Sequence, residues 1–582
     1  MSELKCNEKL ANAVWNDLSK ENMVRTVERF NTLYRYSGTQ QGEEAVDYIV
    51  SKLEEYGIDY TRYKYEGLFS RPLSASVKVL GEQEKTFPAI AHVYGGEADG
   101  LTGELLYDVW SEKATHTENE QDERFNSFRG KVVITWEATP AFTTKAAQYG
   151  ALAVLGVWKH DNTELIKHRG NSMVWGTGTP DTEHLFRFLP AATMSRPCGS
   201  ELIELCKKGP TTVQLDIKMD TSICESTMPM AFIPGKTEKY VLIAGHYDSW
   251  SEGITDNAAA DAIMLELARV FKLHQSELTR GVRIAWWSGH SDGHYSGSTW
   301  YCDNHWMDLH ENCVGYINLD ICGCKNTERI VMRTTLVEGM EFSANIVKEL
   351  TGVYPDRYVP MIKGADQTFW GTGVPFTIMA QNIPAPGKDG GFKNSGGGPW
   401  WHTVEDTIDK LDADLMLRDA KMNGKLAALL ANAEHLPAHP TVLLGEMRKF
   451  LHQIDDNSTE EFDLSGVFQA LDAIEPKLAA LEQEIPQHEP GTTDEVIQEV
   501  CGGLLRLTYS CSSPYEYDAA GGVLNSKPFG AMNDVMGVTR QNASAQRFLF
   551  IHTNFVRLCN RLVGELANIG KVIDCQMMKW GR

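Results

Sequence analysis

The chain is short of positive charge. It sets 55 Lys and Arg against 78 Asp and Glu, a net charge of −23, and shows no basic stripe, which excludes a general attraction to nucleic-acid phosphates or anionic lipid. It also lacks long apolar runs: none approaches the roughly 18 residues that a membrane helix needs. The opening Met1 to Cys6 leads into charged amphipathic sequence without the apolar core of a signal peptide. Twelve cysteines are scattered and, apart from the close pair Cys322 and Cys324, form neither a disulfide framework nor a zinc-ribbon spacing. The stretch Gly387 to Gly398 reads as a mobile loop, without the lysine and helix start that a phosphate-binding loop places together. The expectation is a cytoplasmic protein with no nucleic-acid and no membrane partner.

What is present suits a large globular protein. At 582 residues, with 42% hydrophobic and 23% charged, the chain can fill two to four domains. Gln41 to Tyr56 carries apolar residues at helical spacing, with Gly57 as a C-cap. From about Tyr60 to Cys224 short β-like runs are broken by Gly and Pro. Within them, Gly130 to Ile134, Phe142 to Ala147 and Gly150 to Leu155 read as a buried strand, a helix and a second buried strand. From Glu238 the pattern is α/β: Tyr240 to Ala244 is a buried strand, Ala258 to Leu273 a helix, and Val282 to Trp287, Val314 to Leu319 and Val374 to Met379 further strands. Such alternation implies crossover units and a mainly parallel sheet. Beyond about Pro437 the chain is mostly helical, with long amphipathic patterns over Phe462 to Ile485 and Ser544 to Ile573.

Chemistry-bearing residues gather in four motifs: Gly245-His246-Tyr247-Asp248 just after a predicted strand, Thr255-Asp256-Asn257 opening the following helix, Asn318-Leu319-Asp320 ending the next strand, and Trp401-His402-Thr403-Val404-Glu405-Asp406-Thr407. A zinc-type site needs neutral imidazoles and carboxylates converging from separate elements, with one position left for water. In an extended His-x-Asp segment, Asp248 can reach back to orient the His246 ring. The order of these motifs resembles the co-catalytic zinc exopeptidases, the family of bacterial aminopeptidases and glutamate carboxypeptidase. The resemblance is strongest from about Glu238 to Lys410. It implies His246, Asp320 and His402 as metal ligands, Asp256 as a bridging carboxylate, and Asp366 in a substrate-side loop.

The resemblance further implies an α/β fold with a mixed, mostly parallel sheet flanked by helices. Residues 1–60 are N-terminal helices of the catalytic domain, 61–230 an inserted β-rich protease-associated-like domain, 231–437 the metal-binding domain, and 438–582 a helical C-terminal domain that pairs subunits into a homodimer.

One segment departs from the family. Where its Glu-Glu pair supplies a general base and a metal ligand, this chain reads Gly289-His290-Ser291-Asp292-Gly293-His294. Counting forward from Trp287, the pair falls on His290 and Ser291. Counting back from Gly297-Ser298, it falls on Ser291 and Asp292. Three outcomes follow: two metals with Asp292 or His290 as replacement ligand, one metal without the two-metal clamp, or a catalytically inactive binding protein. The leading expectation is a metal-dependent hydrolase of an amide or peptide bond in a small molecule or short peptide. Zinc, one or two ions, is the expected cofactor, with iron or another divalent transition metal as alternatives. His290 or His294 is the base, with Asp248 beside it, and Asp366, Trp401 and Tyr295 line the substrate pocket. A one-metal enzyme of other hydrolytic or lyase chemistry is the rival reading.

Overall fold

The computed structural model describes the chain apart from residues 1–7, 82–83, 114–115, 160–161, 187, 336, 362, 385–396, 490 and 521–527. Most of the expected mobile loop over Gly387 to Gly398 therefore lies outside the described residues. Among the described residues the strands are β1 (Asp59–Leu80), β2 (Lys85–Ala91), β3 (Ala98–Tyr107), β4 (Val132–Thr135), β5 (Ala153–Val157), β6 (Ala191–Met194), β7 (Thr212–Ile233), β8 (Tyr240–His246), β9 (Gly281–Trp287), β10 (Cys313–Asn318), β11 (Arg329–Thr334), β12 (Arg357–Pro360) and β13 (Phe376–Ile383). They hydrogen-bond in the order β1-β2-β6-β5-β4-β3-β7-β9-β8-β10-β13-β11-β12, with β1 also pairing β7.

The half of the sheet from residue 231 onward is built on β9, β8, β10 and β13, which run parallel to one another. β8 is buried along its whole length, which is why its sequence reads as an unbroken apolar run. Leu242 and Ile243 are fully buried, and each such side chain contributes about 1.5–3 kcal/mol. β11 runs antiparallel to β13 at the far side, so the sheet is mixed. Helix Ala259–Leu273 buries most of its residues against this sheet, and helix Gln40–Glu55 packs beside it, opened by Thr39, whose hydroxyl accepts from the Gly42 amide.

The region expected to hold only short β runs contains two strands of 22 residues each, β1 and β7. They pair antiparallel from Asp59↔Phe232 to Leu80↔Thr212, with a register shift between Pro72 and Ser74. Leu73, the extra residue there, is exposed, as a bulge requires. One end of this ribbon joins β9; the other carries the segment expected as an insertion, through β2 and β3. Pro72 sits at the bulge while Gly67 and Pro229 pair in register, so Gly and Pro break the sequence pattern but not the ribbon. Within the insertion, β4, helix Pro140–Gln148 and β5 follow in the expected strand-helix-strand order.

At the C-terminal end, helix Ser465–Glu484 packs along helix Ala545–Lys579, the first burying Leu471, Ile474 and Leu478 and the second Leu562, Leu566 and Ile569. Residues 511–520 reach back to the segment around Met173 and Trp175 and to the loop that carries Lys363. The Ala520 amide donates to Met173 O at 2.8 Å and Trp175 Nε1 to Asp518 O at 2.8 Å. Lys363 pairs with the Asp518 carboxylate, three residues before Asp366.

Candidate metal and catalytic site

His246 is the last residue of β8, at the carboxyl edge where parallel sheets bind ligands. Its Nδ1 donates to the Asp248 carbonyl oxygen at 2.9 Å, so Nε2 carries the lone pair. That nitrogen lies 3.2 Å from Asp256 Oδ1 and 3.6 Å from Asp320 Oδ1. Both His246 Nε2 and Asp320 Oδ1 are buried without a hydrogen-bond partner. Burial works against charge on the His246 ring, but Asp256, Asp320 and Asp248 overcome it and draw positive charge into this place. A divalent cation satisfies both orphaned atoms at once, and an imidazole with two carboxylates is a zinc-type donor set.

Local structure fixes these donors. Asp406 accepts from the Thr255 amide (3.0 Å), the Thr255 hydroxyl (2.7 Å) and the Asp256 amide (3.0 Å), holding the loop that presents Asp256. Burial pushes the Asp406 carboxyl up to about 7. Asn257 clamps both neighbours of Asp320, donating to Leu319 O at 3.0 Å and accepting from the Ile321 amide at 3.2 Å. The two loops approach so closely that a Cβ on Gly245 would stand 2.5 Å from Leu319 O. Arg35, fully buried, donates to the carbonyls of Tyr247, Glu252 and Gly253 and shapes the segment between His246 and Asp256.

The other oxygen of Asp256, Oδ2, lies 3.2 Å from His402 Nε2. His402 has a φ of +59° and is tied to the insertion: its Nδ1 donates to His168 O at 3.1 Å, and the His168 amide donates to His402 O at 2.9 Å. Trp401 stacks on the His402 ring with centroids 3.6 Å apart, and Trp158 from the insertion lies 6.0 Å from Trp401.

The turn over 289–294, expected to replace the family's pair, is held along most of its length. Gly289 has a φ of +69°, and a Cβ there would stand 2.0 Å from Ser296 Oγ, so only glycine fits. The His290 and Ser291 amides donate to the two oxygens of Asp248, at 2.9 and 2.8 Å. Asp248 therefore orients His246 through its carbonyl and the turn through its carboxylate. The Asp292 carboxylate points away from the cluster, accepting the Ser37 amide at 3.0 Å with Arg71 Nε 3.9 Å away. Burial and the nearby Asp248 push it up to about 7. His294 donates from Nδ1 to Val174 O at 2.6 Å, and burial lowers it to about 4, so its ring is neutral at the edge of the insertion.

His290 lies on the cluster itself. Its ring stacks on His246 with centroids 3.8 Å apart and planes 11° apart. Its Nδ1 meets Asp366 Oδ2 at 2.7 Å, and Asp366 Oδ1 accepts from the Ser298 hydroxyl at 2.6 Å. Asp366, read from the sequence as a substrate-side residue, thus spends both oxygens on holding and orienting His290. Tyr295 stands edge-on to the His290 ring at 4.9 Å and against Trp175 of the insertion at 5.0 Å. Among the described residues, a ring nitrogen of His246, one of His290 and an oxygen of Asp320 form a group within 4.8 Å of one another.

The ring planes separate the roles of the two histidines. Stacked rings stay about 3.5 Å apart, so an ion in the plane of His246 lies well outside the plane of His290. Imidazole lone pairs lie in the ring plane, and the two cannot meet on one ion. The His290 Nε2 lies beside the ion position instead of pointing onto it.

The structure brings His246, Asp256, Asp320, His402 and His290 together, with Asp248 and Asp366 as holders. It directs Asp292 and His294 elsewhere, and sets Trp401 and Tyr295 on the flanking walls. Asp406, Asn257, Ser298 and His168 carry positions that sequence reasoning did not assign. Cys322 and Cys324 are buried, with burial raising both thiols above their usual range, and neither sulfur belongs to the group of donors around His246 and Asp320.

Comparison with known proteins agrees with this geometry. The chain is 23% identical over 294 residues to a probable glutamate carboxypeptidase, LAMP1, of Arabidopsis thaliana, a match covering 47% of this chain and 43% of that protein; the chain thus spans less than half of that relative's length. Among solved structures it is similar to an aminopeptidase from Aneurinibacillus sp. strain AM-1 (TM-score 0.55, 21% identity, 73% of this chain and 96% of that one). It is also similar to BSAP, a zinc aminopeptidase from Bacillus subtilis (TM-score 0.51, 18% identity, 74% and 95%). These likenesses establish the fold. Residues 230–427, the segment that holds every donor described above, match Peptidase family M28, and the resemblance to the zinc exopeptidases is shown there.

Proposed function

We propose that this protein is a metal-dependent hydrolase of an amide or peptide bond in a small molecule or short peptide, with His290 as general base. The observation that carries the reading is the pairing of two features: a buried donor set with orphaned atoms on His246 and Asp320, and a histidine stacked beside it whose Nδ1 is fixed by Asp366. Zinc fits the donors, and the fold and family match support a peptidase. A divalent ion bound there would polarise the scissile carbonyl and make a nearby water more acidic.

The chain's own residues then do the following. Asp366 accepts the Nδ1 proton of His290 and, with Ser298, sets the ring's orientation and tautomer, as a carboxylate does for a catalytic imidazole. His290 Nε2 takes one proton from the attacking water as its oxygen bonds to the carbonyl carbon. As the C–N bond breaks, His290 returns that proton to the leaving nitrogen, giving a carboxylate and an amine. Burial and the nearby His246 oppose charge on His290, and Asp366 outweighs them, so the dyad stabilises the protonated ring formed midway. Trp401 and Tyr295, with Trp158 and Trp175 from the insertion, wall the approach and exclude water.

The test is a panel of aminoacyl, dipeptidyl and acyl-amino-acid amides on zinc-loaded protein. Chelator-sensitive cleavage of at least one class supports the reading. Absence of cleavage across the panel by folded, metal-loaded protein overturns it in favour of a binding protein or a non-hydrolytic enzyme.

A further inference from the structure

We infer that Lys363 is a positioning residue for the His290 base: its ion pair with Asp518 of the C-terminal segment sets the loop that aims Asp366. The rate effects rest on the hydrolase reading; the geometry rests on contacts alone.

Asp366 reaches His290 from an unusual backbone. Ala365 and Asp366 have φ values of +51° and +58°, a left-handed pair that residues other than glycine keep only where their surroundings hold them. Three elements do so. From β10, Asn318 Nδ2 donates to Ala365 O at 2.5 Å and the Tyr316 hydroxyl to Asp366 O at 3.2 Å. From helix Ser296–Asn304, the Ser298 hydroxyl donates to Asp366 Oδ1 at 2.6 Å. The entry to the loop is held by Lys363, whose ammonium pairs with the Asp518 carboxylate.

This pair is a fixed point. The Lys363 side chain is 5% exposed and that of Asp518 9%, and buried charges persist only when paired and hydrogen-bonded. Asp518 also accepts from the Cys511 amide at 2.9 Å, the Ser512 amide at 2.7 Å and the Ser512 hydroxyl at 2.6 Å. Burial works against its charge, but Lys363 and Ser512 hold the carboxyl below its usual range. The segment around it is anchored in turn. The Tyr517 hydroxyl donates to Asp303 Oδ1 at 2.8 Å, and Trp306 Nε1 donates to Pro514 O at 2.9 Å. Asp303 lies on the helix that carries Ser298. The C-terminal segment and that helix therefore form one frame, and Asp366 is aimed from within it.

The experiment compares Lys363→Met, Asp518→Asn and Lys363→Arg with wild type, all zinc-loaded and checked for folding by circular dichroism. Three quantities are read: the split of kcat against KM, zinc content, and the proton signal of His290 Nδ1–H in ¹⁵N-histidine-labelled protein, assigned by its absence from His290→Ala. Lys363→Met and Asp518→Asn should each lower kcat about tenfold, with KM and zinc content unchanged and the Nδ1–H signal displaced. Lys363→Arg should keep both kcat and signal near wild type. Added to Asp366→Asn, Lys363→Met should cost nothing further, because the carboxylate it aims is already gone. An undisplaced signal in folded Lys363→Met or Asp518→Asn overturns the inference. So does a further fall in kcat on the Asp366→Asn background, which is what a general packing role gives. If wild type cleaves nothing, the hydrolase reading falls, and the Nδ1–H signal still decides whether Lys363 positions the dyad.

Discussion

The strand-end cluster and the turn at 289–296 sit side by side, yet they were built under different constraints. His246, Asp256 and Asp320 occupy the carboxyl edge of a buried parallel sheet, where Asn257 and Asp406 lock neighbouring loops to one another. The turn follows β9 and is anchored to Asp248, Ser37 and β1 at Ser70. The donors of the first region are fixed by the ends of β8 and β10 and by the loop that Asp406 holds. The turn is fixed by hydrogen bonds to distant segments, and it presents the His290 imidazole beside those donors. The difference teaches that the scaffold sets where an ion goes, while the turn sets what is done with it.

The most forceful way to break this comparison is to empty the strand-end cluster. Chelation, or Asp320→Asn, should abolish hydrolysis, and zinc should restore the chelated wild type but not the variant; steady-state rates before and after metal addition check it. Next in size is Asp366→Asn, which removes the partner of His290 Nδ1 without touching the ion's donors. We expect kcat to fall on the order of a hundredfold with KM and zinc content little changed. A fall in zinc content instead would place His290 among the ligands.

Smaller effects sharpen the structural half. Asp406→Ala leaves the Thr255 and Asp256 amides without partners and should cost about 1–3 kcal/mol of stability, read from denaturant melts, together with weaker zinc binding. Cys324→Ser should leave zinc stoichiometry unchanged, since its sulfur lies outside the group of donors around His246 and Asp320; a lost ion would mean that sulfur contributes after all.

Much of the scaffold was legible in the sequence. Unbroken apolar runs such as Tyr240 to Ala244 announce a parallel sheet, and the motifs at His246 and Asp320 fall where strands end, while Asp256 lies just before helix Ala259–Leu273 and His402 in a loop beyond β13. The 22-residue ribbon of β1 and β7 was not legible, because its Gly and Pro residues look like strand breaks until the pairing partner is known. In the site, the residues of the turn could be named but not their directions. Asp292 and His290 are two positions apart, and only the distant Ser37, Arg71 and Asp366 decide that one turns out and the other in. Asp366 is 76 residues from His290, and His168 is 234 from His402. Neither pairing leaves a local pattern. Asp406 was visible in its motif, but its task of holding the 255–256 loop follows from tertiary contact alone.

The central claim is that His290 is the base beside the ion, and one measurement addresses it most directly: kcat and zinc content of His290→Ala, taken on the same preparation. The account predicts a loss of at least about a hundredfold in kcat with zinc still bound at the wild-type stoichiometry. An unchanged rate, or a rate loss that merely tracks lost zinc, would contradict it.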